Sequence, residues 1–368
     1  MNFGIAMRNS PLDLRRWIVE LAIFTAAVSP TFAQQPSSTL RSESTVVLVP
    51  TLVRTKAGEI TYGLQAKDFI IEDNGVEQEV TLDDSPEREP VSLVVALQVG
   101  GKASRQFKKK PDLSLYDTFY SEEERKDCRL RKRPCPTAIG GLGSLLEEFL
   151  NATKGEIALV TFDSMVYRFQ DFTQDPAVLS DRLTKLTPGD GGAAILDAVR
   201  YSLQLLDARP KANRRILFLI SETRDHGSKT ITAPEFVQQL AVSNTLISSL
   251  TFSPMRSEFA EGLKSIPTDD QHFNLLAPLE AAVGSLRKNV AAGVTEVMGG
   301  ESRKFKDKTT FDAAFASVVN DIRASYLLSF QPKQPKPGPH QIRVRLRNPS
   351  KDLLLTSRSE YWAVDHQR

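Results

Sequence analysis

Apolar residues follow two spacings along the chain, and the spacing changes twice. Thr45 to Val53 is rich in β-branched residues and reads as a strand. Leu64 to Gly75 follows and ends in Asn74-Gly75, a strong hairpin turn; Val76-Glu77-Gln78-Glu79-Val80 then alternates apolar and polar as the return strand. Beyond it the pattern changes. Leu93-Val94-Val95-Ala96-Leu97 is a continuous apolar run, the mark of a strand buried on both faces, and such runs recur at Ile157 to Val160, Ile216 to Ile220 and Leu246 to Phe252. Helical spacing fills the gaps: Leu142, Leu145, Leu146, Phe149 and Leu150, then Ile195, Leu196, Val199, Leu203 and Leu206, then Phe236, Val237 and Leu240. Strand and helix in alternation predict a doubly wound, mostly parallel α/β sheet.

The back of the chain returns to β. An amphipathic helix is marked by Phe311, Ala314, Phe315, Val318, Val319 and Ile322, and Ser325 to Phe330 reads as a strand. Gln331 to Pro339 holds four prolines and reads as a stiff connector. Gln341 to Arg347 alternates strictly, with Arg343, Arg345 and Arg347 on one face, as on the wet side of an antiparallel strand. A last strand pair ends near Tyr361-Trp362. Residues 34–90 and 324–368 are therefore expected to pack as one small β-sandwich, with an α/β domain over 91–323 inserted between them. Phe69, Tyr326, Phe330, Tyr361 and Trp362 are read as its core.

Length and composition allow this picture and remove others. The chain has 368 residues, 40% apolar and 25% charged, which is ordinary for a globular protein. Its 47 Lys+Arg against 45 Asp+Glu leave a formal charge of +2, too near neutral to predict nucleic acid as a partner. Residues 1–33 read as an export signal: Arg8, Arg15 and Arg16 form the basic start, Trp17 to Val28 the apolar run, and Thr31-Phe32-Ala33 the cleavage site. No later segment reaches the ~18 apolar residues of a membrane helix. The mature protein is expected to be secreted or periplasmic, where Cys128 and Cys135 are a disulfide candidate. These cysteines lie in a charged insertion, 102–136, with eleven Lys/Arg against six Asp/Glu, read as solvated or as a partner-binding loop.

The order of elements resembles a von Willebrand factor A-type domain, and more closely the secreted bacterial VWFA-related family first described in acidobacteria. The residues that carry the likeness are Gly63 to Phe69 at the front and Ile322 to Phe330 at the back. The resemblance implies a metal-ion-dependent adhesion site of the form Asp-x-Ser-x-Ser after the first buried strand, a Thr before a middle helix and an Asp after a later strand. Those hydroxyls and carboxylates are hard oxygen ligands for Mg²⁺.

Here the pattern falls on Gln98, Gly100 and Lys102, then on Ala193, then on Glu222. One carboxylate remains, and a lysine stands where a cation would be repelled. The expectation is a degenerate site that holds no metal and no cofactor; the Lys102 ammonium either stands in the ion's place, paired with Glu222, or simply points to water, as surface lysines usually do. A partial site completed by Asp190 or Asp225 is the alternative.

Enzyme signatures are weak. No Gly-x-Ser-x-Gly elbow accompanies Asp225-His226, and neither Gly140 to Ser144 nor Gly189 to Gly192 ends as a phosphate-binding loop does. Met298-Gly299-Gly300 reads as a turn. The expected function is a non-enzymatic module that binds an unidentified protein through a rim containing Gln98, Gly100, Lys102, Ala193, Glu222 and Asp225. A metal-dependent adhesion module with a rearranged site, an enzyme of unknown chemistry and a structural envelope protein are the alternatives.

Overall fold

The computed structural model describes residues 46–83, 90–107, 139–230, 232–252, 289–333 and 336–363. Residues 1–33, read above as an export signal, the two cysteines and most of the charged insertion lie outside the described residues.

The front strands are β1 (Val47–Thr55), β2 (Phe69–Asp73), β3 (Val76–Gln78) and β4 (Thr81–Leu82). Asn74 and Gly75 join β2 to β3 with φ of 48° and 81°, the positive pair that a tight hairpin turn demands and that this dipeptide adopts cheaply. Next come β5 (Val91–Gln98), α1 (Leu142–Ala152), β6 (Gly155–Phe162), β7 (Val166–Thr173), α2 (Pro176–Thr184) and α3 (Ile195–Asp207). Then follow β8 (Arg214–Ser221), α4 (Ala233–Val242), β9 (Thr245–Phe252), α5 (Val290–Val297), β10 (Ser302–Phe305) and α6 (Lys308–Ala324). The back strands are β11 (Tyr326–Phe330), β12 (Gly338–Leu346), β13 (Leu353–Ser357) and β14 (Glu360–Ala363).

Six strands form the large sheet in the order β10-β9-β8-β5-β6-β7, parallel except for the edge strand β7. The apolar runs have a direct cause. Successive side chains of a strand point to opposite faces, and both faces of this sheet are covered. Leu93, Val95 and Leu97 of β5 join the residues of α1 and α6 in one core, whereas Val94 and Ala96 join those of α3, α4 and α5 in another. The α/β fold expected from the alternation is thus present. The β7 edge is half exposed and takes register shifts against β6 at Ile157/Leu159 and Leu159/Val160, irregularities that blunt an open edge.

Strands from both chain ends form two four-stranded antiparallel sheets, β13-β1-β11-β4 and β14-β12-β2-β3. Val47, Val49 and Val53 alternate inward from the first and meet Phe69, Ile71, Ile342 and Tyr361 of the second. Arg345 and Arg347 lie on the wet face, paired with Glu72 at 2.8 Å and Glu77 at 3.2 Å. Trp362 differs from expectation. It packs against the α3–α5 side of the large sheet, because in β14 it points away from the sandwich interior that its neighbours Tyr361 and Ala363 fill. Arg54 of β1 adds an ion pair to Asp321 of α6, which also accepts from Arg303 of β10 at 3.0 Å.

One polar cluster interrupts the sandwich core. Asp73 Oδ1 lies 2.7 Å from His340 Nδ1, the Tyr361 hydroxyl donates to Asp73 Oδ2 at 2.9 Å, and His340 Nε2 lies 2.7 Å from the Lys336 carbonyl. Burial, reinforced by the Asp73 carboxylate, pushes the Tyr361 phenol well above the ordinary tyrosine range. In the unfolded chain that phenol ionises near ~10. Above that pH the folded state binds the extra proton, so stability falls as pH rises, by about 1.4 kcal/mol per pH unit. Unfolding by denaturant at pH 9 to 11.5 is expected to show this slope in the wild type relative to Tyr361→Phe. Arg358, held at about 10 by burial, has the opposite sign but is common to both proteins. Parallel pH profiles would refute the assignment.

Candidate functional site

Parallel strands leave their C-terminal ends at one edge of a sheet, where loops converge. Here β5 ends at Gln98, β6 at Phe162 and β8 at Ser221. The loop 188–194 crosses to join them. The Gly101 amide donates to the Asp190 carbonyl at 2.8 Å, Gly189 N to the Val99 carbonyl at 2.9 Å and Ala194 N to the Asp163 carbonyl at 2.7 Å. The approach is close enough that a Cβ on Gly100 would sit 2.4 Å from the Gly192 carbonyl oxygen and 2.5 Å from Asp163 Cβ. The loop after β8 folds back over the start of α3. His226 N donates to the Ala193 carbonyl at 3.1 Å, and a Cβ on Gly227 would meet Ala194 N at 2.8 Å.

A buried network occupies the centre. The Gln98 amide nitrogen donates to Glu222 Oε1 at 2.6 Å and to the Gly100 carbonyl at 3.0 Å. The Glu222 N–H donates back to Gln98 Oε1 at 2.8 Å. His226 Nε2 lies 2.9 Å from Glu222 Oε1, and Lys102 Nζ lies 4.0 Å from Glu222 Oε2. That separation is inside the ~6 Å at which opposite charges couple. The Lys102 side chain is 52% exposed, against 6% for that of Glu222, so the carboxylate is interior and the ammonium at the surface. Gly101 carries φ of 54°, and a Cβ there would lie 2.5 Å from Glu222 Oε1, so this residue type keeps the network compact.

The structure brings Gln98, Gly100, Lys102, Ala193 and Glu222 to the same edge. Gln98, Gly100, Ala193 and Glu222 are buried, while Lys102 reaches solvent and Asp225 is half buried. The flanking exposed groups include Arg224, His226, Lys229 and the acidic Asp190. His226 was legible only as a neighbour of Asp225, since its seat on Glu222 depends on the loop turning back at Gly227. Asp163 had no sequence signal beyond its place after an apolar run.

The family's divalent cation can be tested against these donors. Gly100 and Ala193 supply no side-chain oxygen. Asp225 Oδ1 accepts from Gly227 N at 3.2 Å and Ser228 N at 3.1 Å. Asp190 Oδ1 accepts from Ser164 N at 3.0 Å and Gly192 N at 2.8 Å. Hydrogen bonds from Ser164 and Gly192 hold the Asp190 carboxyl below its usual range. Both carboxylates thus shape loops, and among the described residues no three His, Cys, Asp or Glu side chains converge as a metal site. Mg²⁺ takes one or two carboxylates and fills its shell with water, but Glu222, the one carboxylate at the expected ligand positions, already faces Gln98, His226 and Lys102, a donor set that fits a cation poorly.

Residues 126–224 match the sequence model of the von Willebrand factor type A domain. That stretch is similar to a von Willebrand factor type A domain. Solved structures similar to it include BatB from Bacteroides thetaiotaomicron, at 13% identity over 63% of this chain and 97% of that one, with a TM-score of 0.38. An aerotolerance-related membrane protein from Bacteroides fragilis matches at 12% identity over 63% of this chain and 98% of that one, with a TM-score of 0.39. The PilB minor pilin from Streptococcus sanguinis matches at 12% identity over 64% and 62%, with a TM-score of 0.39. No curated protein sequence matches the chain. Among the described residues, no helix is long and apolar enough to cross a membrane.

Proposed function

We propose that this type A domain is a non-enzymatic protein-binding module of a secreted or periplasmic protein, working without a divalent cation. One observation carries the reading. The Glu222 carboxylate stands at the position of a metal ligand, and its oxygens already face Gln98, His226 and Lys102. A cation would have to displace an ammonium and two hydrogen-bonding partners from a buried site, against both charge and desolvation. Against an enzyme reading, the His226 ring has Glu222 as its hydrogen-bond partner and no serine beside it among the described residues.

In this reading residues 91–323 bind and the β segments 34–90 and 324–368 support them. The partner meets Lys102, Arg224, His226 and Lys229 around the Gly191 loop. That surface carries Lys102, Arg224 and Lys229 beside Asp163, Asp190 and Asp225, so it offers a partner protein both signs of charge.

A photo-crosslinker at Arg224 tests the proposal, with one at Lys67 on the sandwich as control. One discrete protein is expected from position 224 alone, captured equally in Mg²⁺ and in a chelator, and lost on Lys102→Glu with Lys229→Glu. Calorimetry with Mg²⁺ and Mn²⁺ is expected to give no saturable heat. Micromolar metal binding, or capture that disappears in chelator, would overturn the reading.

A further inference from the structure

The opposite edge of the large sheet carries a second feature. Where β8 and β9 begin, a cavity of about 130 Å³ opens between the sheet and the sandwich strands β1 and β11. Its charged lining is Lys211, Arg214, Arg215 and Arg358, with no Asp or Glu among the lining residues. Its apolar wall includes Leu48, Met298 and Leu327.

Arg358 is 2% exposed. Its guanidinium donates to the Glu360 carbonyl at 2.7 Å, Asn244 Oδ1 at 3.2 Å and the Ala241 carbonyl at 2.6 Å. All three acceptors are neutral. A guanidinium has five N–H donors, so one remains on each of Nη1 and Nη2. Arg215 gives Nη1 to Asp207 Oδ1 at 3.1 Å and Nη2 to the Arg209 carbonyl at 3.0 Å, and its buried Nε–H has no partner. Burial holds Arg358 down at about 10, which leaves it a cation at neutral pH. A buried cation without a countercharge is costly, and so are buried N–H groups without acceptors. An anion in the cavity relieves both. The apolar wall selects the rest of the molecule, because a fully hydrated ion gains nothing from Leu48, Met298 and Leu327.

We infer that this cavity binds a small organic carboxylate, its oxygens on Arg358 and Arg215 and its short apolar body against Leu48, Met298 and Leu327. The site is at the far end of the sheet from the protein-binding rim and does not depend on that reading.

Benzoate is the probe, titrated into the full mature chain by calorimetry at fixed ionic strength. Inorganic phosphate, which lacks the apolar body, and benzyl alcohol, which lacks the charge, are each expected to bind at least about tenfold more weakly. Arg358→Met should abolish binding, but its fold is in question because three hydrogen bonds go with the side chain. Lys211→Glu, at an exposed position, and Leu48→Trp, which fills the wall, serve in its place and should weaken benzoate by about tenfold or more. Benzoate binding no tighter than either control, or unchanged in both of these variants, would overturn the inference.

Discussion

Gln98→Leu is expected to lower the stability of the domain by about 3 kcal/mol, although leucine fills a similar volume. The change leaves the Glu222 N–H without a partner and takes the shortest contact from its carboxylate, which keeps His226. The Glu222 N–H loses its acceptor at 2.8 Å, and the Glu222 carboxylate loses its donor at 2.6 Å. A buried carboxylate deprived of a hydrogen bond costs more than a neutral group in the same place. Lys102→Gln serves as the comparison. Its ammonium is half exposed and 4.0 Å away, so its loss should cost less than about 1 kcal/mol. Urea unfolding of both variants, with the slope m checked for constancy, measures the difference. Equal costs would mean that Lys102 rather than Gln98 holds the carboxylate, and the internal network would lose its standing as the scaffold of the rim.

The parts of the fold that the sequence makes legible are those where one physical cause dominates. The strands β5, β6, β8 and β9 are covered on both faces, so they read as unbroken apolar runs. The β7 strand is the opposite case: an edge, half wet and irregular in register, whose Val166 to Thr173 shows neither a run nor clean alternation. The four-residue strand β10 contains three polar side chains and is fixed by pairing with β9 rather than by its own pattern. Trp362 shows the limit for single residues. Alternation places it on one face or the other, but which core it meets depends on how β14 docks against the large sheet.

The site divides in the same way. That Gln98, Lys102 and Glu222 share an edge follows from strand order and from the family likeness. That Gly100 could not simply regain a serine does not. A Cβ there collides with the Gly192 backbone and with Asp163, so the loops have closed on the place a ligand side chain would need. In the proposed reading chemistry and sterics act together against a cation, and the steric part is visible only once the loops are placed.

A second large effect is expected far from this edge. Asp73→Ala should cost about 3 kcal/mol, because Asp73 is 5% exposed, lies 2.7 Å from His340 Nδ1 and accepts from the Tyr361 hydroxyl. Without it the buried imidazole nitrogen and the buried phenol keep only each other, 3.1 Å apart, and neither can reach water without opening the sheet. The three residues sit on β2, β12 and β14, adjacent strands of one sheet, so the penalty falls on strand pairing that joins the two ends of the chain. Asp73→Asn, which keeps an acceptor oxygen for one of the two donors, should lose roughly half as much. Hydrogen exchange localises the damage. Amides of β12 and β14 are expected to lose protection in Asp73→Ala while those of β5 and β8 keep theirs, since the large sheet has its own cores on both faces. A loss of less than about 1 kcal/mol would mean that these groups find other partners, and the cluster would then be incidental to the closure of the sandwich.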